Sequence, residues 1–414
     1  MPRKAAGLHT WRDRQVVSAA ALALSAGFAA YAVTAVLGDV SAAFGEDPNG
    51  DFAVDVGMAT TRLGIGLALI RLASLASLPA AGLADRLGRR RVLVGCAAVG
   101  LAVTGVGGLA PGWWWFVAII AVARPLLTAT NAVAVVVAAE ETGSADRAKA
   151  IALIGGAYAV GSGAVSIVRG LLDGLVGFRG ILALALVLLA VLPLAARHVE
   201  ETPRFAGGAG ERRRLGAVPR RHVRNLALVC TLTAGAGLVL GPAWTYVFVY
   251  GERVLGASPM HMALLVASAA PVGLLGLLLG RFGADRFGRR KTAGFAMVAL
   301  SLAGAAAYSG AFAVFAAGYL ATIMAGAAYT PSGGALDTEI FPTSVRATAA
   351  GWLAAVGVLG SVTGLAAFGW LADSAAGFGP AAQILFLPVA ALAALYVLLP
   401  ETRGLELEES APEG

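Results

Sequence analysis

The stretch ADRLGRRR at residues 84–91 reappears, almost unchanged, as ADRFGRRK at residues 284–291. Each copy follows one apolar run and precedes another. Two further features recur in the same order at the same offset to within one residue: Glu201-Thr202 with Glu401-Thr402, and Glu140 and Arg147 with Glu339 and Arg346. Self-similarity at a fixed offset is typical of a duplicated structural unit, so the sequence predicts two similar halves of roughly 200 residues.

The composition around these repeats indicates a membrane protein. Of the 414 residues, 58% are hydrophobic and only 13% are charged, and the mean hydropathy is +0.79. A soluble domain carries about 25% charged residues. The apolar residues form runs of roughly 20, which are long enough to cross a hydrocarbon core about 30 Å thick. Because backbone groups in lipid must hydrogen-bond within their own segment, these runs are predicted to be helices.

The apolar runs divide the chain into twelve predicted transmembrane helices, six in each half. They cover residues 16–42, 58–84, 92–110, 113–138, 148–168, 180–196, 225–249, 260–282, 292–310, 312–338, 347–373 and 381–399. We therefore predict an all-α integral membrane protein with two pseudo-symmetric six-helix bundles, related by an axis along the membrane normal. The predicted parts are an N-terminal bundle at 1–196, a cytoplasmic linker at 197–224, a C-terminal bundle at 225–404 and a short acidic cytoplasmic tail at 405–414.

The basic residues indicate the orientation of the chain. The net charge is +7, and most of the 31 Lys and Arg residues fall in segments between alternate spans, such as 86–91, 197–224 and 286–291. Basic loops remain on the cytoplasmic side of a membrane, which places both termini in the cytoplasm. The preference for Arg over Lys favours a bacterial source. We expect a multi-pass protein of the bacterial plasma membrane, in contact with the lipid bilayer and without a nucleic-acid partner.

The repeated loop resembles the signature of the major facilitator superfamily. That signature reads Gly-x-Leu-Ala-Asp-Arg-x-Gly-Arg-Arg between spans two and three, and residues 81–90 read Ala-Gly-Leu-Ala-Asp-Arg-Leu-Gly-Arg-Arg. The chain is most similar to the sugar-porter and metabolite–proton symporter branches. These carry a Glu and an Arg seven residues apart after spans four and ten, and end in Pro-Glu-Thr-x-Gly, matched here at 400–404. The Gly-Pro motif of drug antiporters is absent from 151–168.

The resemblance implies that the charged loop residues close the cytoplasmic side of a transporter. It places Asp85 near Arg346 and Asp285 near Arg147, with Glu140 and Glu339 completing the two clusters. The predicted gating residues are Asp85, Arg86, Gly88, Arg89, Arg90, Glu140, Arg147, Asp285, Arg286, Gly288, Arg289, Glu339 and Arg346. The alternative is that these residues only anchor the topology. Gating is favoured because charged clusters at a moving interface provide two alternative packings.

Two arginines are predicted to lie inside the spans, where ionisable groups are costly and usually functional. Arg71 lies 14 residues before Asp85, which at about 1.5 Å per residue places it near the middle of the membrane. Arg124, Thr128 and Asn131 form one polar stripe on an otherwise apolar helix. These residues are predicted to bind substrate, and two buried arginines favour an anionic group such as a carboxylate. The alternative is that each Arg pairs with a buried acid or carbonyl and serves the structure alone.

Few acidic residues are available within the spans to carry a proton. Asp39, near the outer end of span one, and Asp337, in span ten, are the candidates. For Asp39, a role at the helix end is the alternative. The Asp that proton-coupled sugar porters carry earlier in span one has no match here. Trp244 and Tyr329 are the predicted aromatic substrate contacts, although aromatic residues near helix ends also serve as interfacial anchors.

These features favour a secondary active transporter that moves a small organic solute, such as a carboxylate or a sugar-like metabolite, by alternating access with proton symport. Protons are the expected coupling ion, no metal or other cofactor is expected, and the chain is expected to act as a monomer. An exporter of a drug or metabolite is one alternative, and a transporter-like nutrient sensor is another. An ATP-driven pump is not expected, since the sequence lacks the Gly-Lys-Ser/Thr of a P-loop. An enzyme is not expected either, since the sequence shows no His/Glu metal cluster and no nucleophile–base pair.

Overall fold

The structure, a computed structural model, describes residues 12–45, 58–143, 146–201, 220–375 and 377–403, and almost all of them are helical. The predicted tail at 405–414 and most of the predicted linker at 197–224 lie outside these ranges. The helices of the first half are α1 (Arg14–Ala35), α2 (Leu37–Ala43), α3 (Thr60–Ala73), α4 (Ser77–Gly82), α5 (Ala84–Leu87), α6 (Arg89–Gly107), α7 (Trp113–Glu141), α8 (Arg147–Leu171) and α9 (Phe178–Ala196).

The helices of the second half follow the same order. They are α10 (Arg220–Thr245), α11 (Pro259–Phe287), α12 (Arg289–Ala307), α13 (Phe312–Glu339), α14 (Thr343–Ser374) and α15 (Phe378–Leu392). One continuous helix, α11, lies in place of α3, α4 and α5. Three short irregular helices complete the path: 3-10 turns at Ser74–Ala76 and Ala393–Leu398, and a π-helical turn at Val249–Val254. The 3-10 turn at Ser74–Ala76 joins α3 to α4, so that Thr60–Leu87 forms one apolar span of 28 residues.

Eleven helices in the described part of the chain are long and apolar enough to cross a membrane. They range from 19 to 29 residues, as a hydrocarbon core about 30 Å thick requires. The predicted span at 292–310 corresponds to α12, which is not among the eleven and carries three basic residues in its first turn. The multi-pass helical architecture is therefore confirmed, whereas the count of twelve stays a prediction.

The chain separates into two compact units. The N-terminal unit consists of Met1–Val40, Leu69–Arg212 and Ser258–Ala267, and the C-terminal unit consists of Ser41–Ala68, Arg213–Ala257 and Ser268–Gly414. Each unit therefore contains most of one sequence repeat and a short segment of the other. The predicted division of the chain at the 197–224 linker stays a prediction.

Equivalent helices pack through glycine in each unit. In the N-terminal unit, a Cβ atom on Gly161 of α8 would lie 2.0 Å from the Leu24 carbonyl oxygen of α1. In the C-terminal unit, a Cβ atom on Gly360 of α14 would lie 2.2 Å from the Ala234 carbonyl oxygen of α10. Only glycine permits such close contact, which is how helices without a hydrophobic driving force gain van der Waals packing in lipid. The two glycines occupy matching places in the repeat.

Large apolar side chains cover the outside of the helices. On α11, Leu274, Leu275, Leu278 and Leu279 form a stripe along one face, and each is 55–59% exposed. A water-soluble monomer rarely exposes contiguous apolar patches of this kind. The stripe fits a helix surface that contacts lipid tails.

Candidate functional site

The repeated loop turns sharply at Gly88 and at Gly288. Both residues have φ +100°, with ψ 145° and 154° respectively. A side chain is strongly disfavoured in this backbone region, so glycine permits the turn between α5 and α6 and its counterpart before α12. The backbone angles therefore explain why glycine stands at both positions, and the predicted part of the two glycines in gating stays a prediction.

A carboxylate from a distant part of the chain caps the helix that follows each turn. The Glu201 carboxylate accepts hydrogen bonds from the backbone N–H groups of Arg89 at 2.5 Å and Arg90 at 3.4 Å. The Glu401 carboxylate does the same for Arg289 at 2.9 Å and Arg290 at 3.3 Å. The first N–H groups of a helix have no partner within the helix, and the helix dipole attracts negative charge there. Sequence reasoning used these glutamates only as markers of the repeat and missed their capping role.

The loop arginines pair with the glutamates at the ends of α7 and α13. Arg89 lies 3.0 Å from Asp85 and 3.3 Å from Glu140. In the second repeat, Arg289 lies 2.6 Å from Glu339, whose carboxylate also accepts a hydrogen bond from the Thr402 hydroxyl. Glu140 and Glu339 therefore each pair with a loop arginine of their own repeat, and the predicted clusters that bridge the two halves stay predictions.

Among the other predicted gating residues, two arginines donate to backbone carbonyls and the rest lie on the exposed or half-exposed surface of the loops. Arg147 donates to the Ala139 carbonyl at 3.1 Å, and Arg346 donates to the Phe341 carbonyl at 3.1 Å. The exposed Asp285 lies 4.0 Å from Arg281. Arg86, Arg90 and Arg286 lie at exposed or half-exposed positions on the loops. The pairings of Asp85 with Arg346 and of Asp285 with Arg147, implied by the resemblance, stay predictions.

Arg71 and Arg124 occupy one region of the N-terminal unit. Their guanidinium groups are close enough to repel each other electrostatically, and Tyr158 of α8 also interacts with Arg71. The buried Nε of Arg71 has no hydrogen-bond partner within the described residues. Arg124 donates to the Ala30 carbonyl of α1 at 2.9 Å. The structure thus places two cations together and gives neither of them a carboxylate within the described ranges.

The remaining members of the α7 stripe differ in their hydrogen bonding. The Thr128 hydroxyl donates to the Arg124 carbonyl of its own helix at 3.0 Å, which is a common arrangement for Thr within helices. The Oδ1 atom of Asn131 is buried and has no partner among the residues described. Asn131 therefore keeps an unused acceptor on the same face as Arg124, whereas the Thr128 proton is already engaged.

Asp337 and Tyr329 form a polar cluster in the C-terminal unit. The Tyr329 hydroxyl accepts a hydrogen bond from the Tyr396 hydroxyl at 2.9 Å, and Asp337 interacts electrostatically with both tyrosines. Within the described part of the chain, Asp337 has no ion pair. Trp244 of α10 lies against Gly326 of α13, one helical turn before Tyr329. Tyr396 was not predicted, because its partner lies 67 residues away in the sequence.

Asp39 has a different environment from Asp337. Its Oδ2 accepts hydrogen bonds from Arg169 Nε at 3.2 Å and Nη2 at 2.9 Å. Arg169 itself is buried at the end of α8. This ion pair joins α2 to α8 and agrees with the helix-end role that the sequence left open for Asp39. A role for Asp39 in carrying a proton remains untested.

The sequence profile of the Major Facilitator Superfamily matches residues 17–284 and 255–413, so the chain belongs to this superfamily. It is a multi-pass membrane transporter and not an enzyme. The resemblance drawn from the repeated loop is confirmed. No curated protein sequence matches the chain.

Solved transporters share the fold at low sequence identity. The inward-open xylose transporter XylE from E. coli is 17% identical, with a TM-score of 0.75 over 95% of this chain and 98% of that chain. The nucleoside transporter NupG is 13% identical, with a TM-score of 0.72 over 92% and 98% of the two chains. The human organic anion transporter MFSD10 is 14% identical, with a TM-score of 0.63 over 94% and 99%.

Proposed function

We propose that this chain is a secondary active transporter for a small organic anion, such as a carboxylate, driven by proton symport through alternating access. The observation that carries the proposal is the pair Arg71 and Arg124, two cations in one apolar unit with no described carboxylate to neutralise them. Uncompensated charge within a membrane segment is costly. An anionic substrate would remove that cost while it is bound, and Arg is the side chain best suited to hold a carboxylate with two parallel hydrogen bonds.

Each unit contributes its own candidate substrate-binding groups. On α7, Arg124, Thr128 and Asn131 lie along one stripe, and the free Oδ1 of Asn131 accepts a hydrogen bond from a substrate hydroxyl or N–H. On the C-terminal side, Trp244 and Tyr329 supply aromatic contacts. The α7 groups suit a sugar-like metabolite that carries a carboxylate.

We place the proton site at Asp337 rather than at Asp39. Asp39 is neutralised by Arg169 at 2.9 Å, whereas the described residues provide no cation for Asp337. A carboxylate without a partner cation can bind and release a proton without breaking an ion pair. Binding a proton from the acidic side and releasing it on the other side is then coupled to the change of access.

Location and orientation follow the basic loops. The repeated loops and both termini are placed on the cytoplasmic side of a bacterial plasma membrane, with lipid against the apolar faces and the protein as a monomer. In this orientation the Gly88 and Gly288 clusters close the cytoplasmic side, and α3 begins at the outer side.

Uptake into proteoliposomes tests the proposed coupling. The ligand is first identified by thermal-shift screening of sugars, aromatic acids and dicarboxylates, because a ligand that binds only the native state raises its stability. An outside-acid pH gradient is expected to accelerate uptake of that ligand several-fold over equal pH, and a protonophore is expected to remove the acceleration. If the uptake rate is the same with and without the gradient, proton symport is excluded. If the ligand accumulates only when the vesicle interior is acidic, the protein exchanges substrate for protons, which indicates export.

Asp337→Asn is expected to remove the acceleration by the pH gradient while leaving exchange between equal pools of substrate within about twofold, because the amide has a similar shape but carries no titratable proton. The measurement is uptake with and without the gradient, beside counterflow exchange. Asp39→Asn is the matched control, and it should retain gradient-driven uptake. Gradient-driven uptake by Asp337→Asn would remove Asp337 from the coupling mechanism.

A further inference from the structure

The first turn of α3 receives its cap from α14 and not from its own chain segment. The carboxylate of Asp373 accepts hydrogen bonds from the backbone N–H groups of Thr60 at 2.9 Å and Thr61 at 2.7 Å. The Thr60 hydroxyl lies within hydrogen-bond distance of the same carboxylate and of the Gly369 carbonyl. These contacts join residues more than 300 positions apart in the sequence.

The two described residues just before α3, at 58 and 59, offer no substitute for this cap. The residue that precedes the helix is Ala59, whose side chain has no acceptor. In the second repeat, α11 begins after Ser258, whose Oγ accepts a hydrogen bond from the backbone N–H of His261 within the same turn. The two equivalent helices therefore differ: α11 caps itself, whereas α3 depends on Asp373.

Close backbone packing accompanies the cap. A Cβ atom on Gly369 would lie 2.3 Å from the Thr60 carbonyl oxygen, and one on Gly64 would lie 2.6 Å from the Leu365 carbonyl oxygen. The buried Tyr246 hydroxyl donates to the same Leu365 carbonyl at 3.3 Å. Residues Ser41–Ala68 thus belong to the C-terminal unit although their sequence belongs to the first repeat. The start of α3 and the end of α14 form one tightly fitted contact.

We propose that Asp373 is a gating residue whose carboxylate holds the outer ends of α3 and α14 together by capping α3. Separation of the two helix ends would leave the N–H groups of Thr60 and Thr61 with water alone. The cap therefore favours the joined arrangement and must break when access to that side opens. The proposal rests on the alternating-access transport proposed above, and it adds a polar gate at the opposite ends of the spans from the Gly88 and Gly288 loops.

The test uses a single reporter cysteine at the joined ends. Cys96 and Cys230 are replaced by Ala, and Ala68→Cys is introduced, because Ala68 is buried and follows Thr60 and Gly64 on one face of α3. The reaction rate of this thiol with N-ethylmaleimide is measured in detergent-purified protein that elutes as a single species on size exclusion. This readout needs no substrate and no pH gradient, so its result is independent of the substrate and coupling proposals.

Asp373→Ala is expected to raise the reaction rate about five- to tenfold, the population change that loss of an N-cap produces. Asp373→Asn keeps one acceptor oxygen, so its reaction rate is expected to lie between the rates of Asp373→Ala and of the parent. Gly369→Ala introduces a Cβ atom that collides with the Thr60 carbonyl, so it separates the same two helix ends and is expected to raise the reaction rate as well. The matched control is Asp173→Asn, since Asp173 is exposed and has no hydrogen bond or ion pair within the described ranges. Unchanged rates in both Asp373→Ala and Gly369→Ala would overturn the proposal.

Discussion

Arg124→Ala is expected to lower the initial rate of substrate uptake by about two orders of magnitude, because truncation of one member of a buried charged pair costs about 2–5 kcal/mol. Arg124 and Arg71 are both expected to contact the anionic group, so Arg71→Ala should give a loss of similar size. Arg124→Lys keeps the charge but lacks the planar fork that holds a carboxylate, so an intermediate loss of about tenfold is expected. The measurement is the concentration dependence of uptake into proteoliposomes.

The double variant distinguishes two hypotheses: that both arginines bind the same substrate carboxylate, and that each arginine has a separate structural role. If both arginines hold one carboxylate, the losses in Arg71→Ala/Arg124→Ala should be clearly less than additive. Arg179→Ala is the control, because Arg179 is exposed and its side chain makes a long hydrogen bond to the Ala110 carbonyl, at 3.4 Å, and lies over the neighbouring Phe178 ring. Normal transport by Arg124→Ala would remove the anion site from α7 and return Arg124 to a structural contact with Ala30.

The fold was predictable because its cause is local and repeated. Runs of apolar residues predict helices because lipid offers no hydrogen bonds to the backbone. The duplicated loop predicts two equivalent halves. The structure extends this equivalence to contacts that the sequence pattern did not indicate. Gly161 and Gly360 occupy matching close contacts, and Glu201 and Glu401 cap matching helices. The count of spans was less secure, since α12 combines a basic first turn with a modest content of large apolar residues.

The site was predictable only in part, because helical periodicity shows which residues share a face but not which helices meet. Spacing placed Arg124 and Asn131 on one stripe, and it did not show that Arg71 lies close enough to interact with Arg124. The acceptor for the α3 cap was equally hidden, since Asp373 lies in the last turn of another helix, where a carboxylate is otherwise unfavourable beside the dipole. Such contacts depend on tertiary packing, which a single sequence does not specify.

Gly88→Ala is expected to destabilise the protein by about 2–4 kcal/mol, which combines the strain of a side chain at φ +100° with displacement of a helix cap. A Cβ atom at this position would lie 2.3 Å from Glu201 Oε2, so the carboxylate that bonds to the Arg89 and Arg90 N–H groups has to move. The thermal midpoint in detergent is expected to fall by roughly 2–5 °C. Gly288→Ala should give a fall of similar size, because its Cβ would lie 2.5 Å from Glu401 Oε2.

Gly82→Ala is the matched control for these two variants. Gly82 lies six residues earlier, at the end of α4, and a Cβ atom there would meet nothing within 4 Å. Alanine in a helix has a lower entropic cost than glycine, so this variant should unfold at the parent temperature or slightly above it. Glu201→Ala in the Gly88→Ala background should cost less than Glu201→Ala alone, since the cap is already displaced. Equal thermal midpoints for Gly88→Ala and Gly82→Ala would show that neither the backbone strain nor the carboxylate cap contributes as argued.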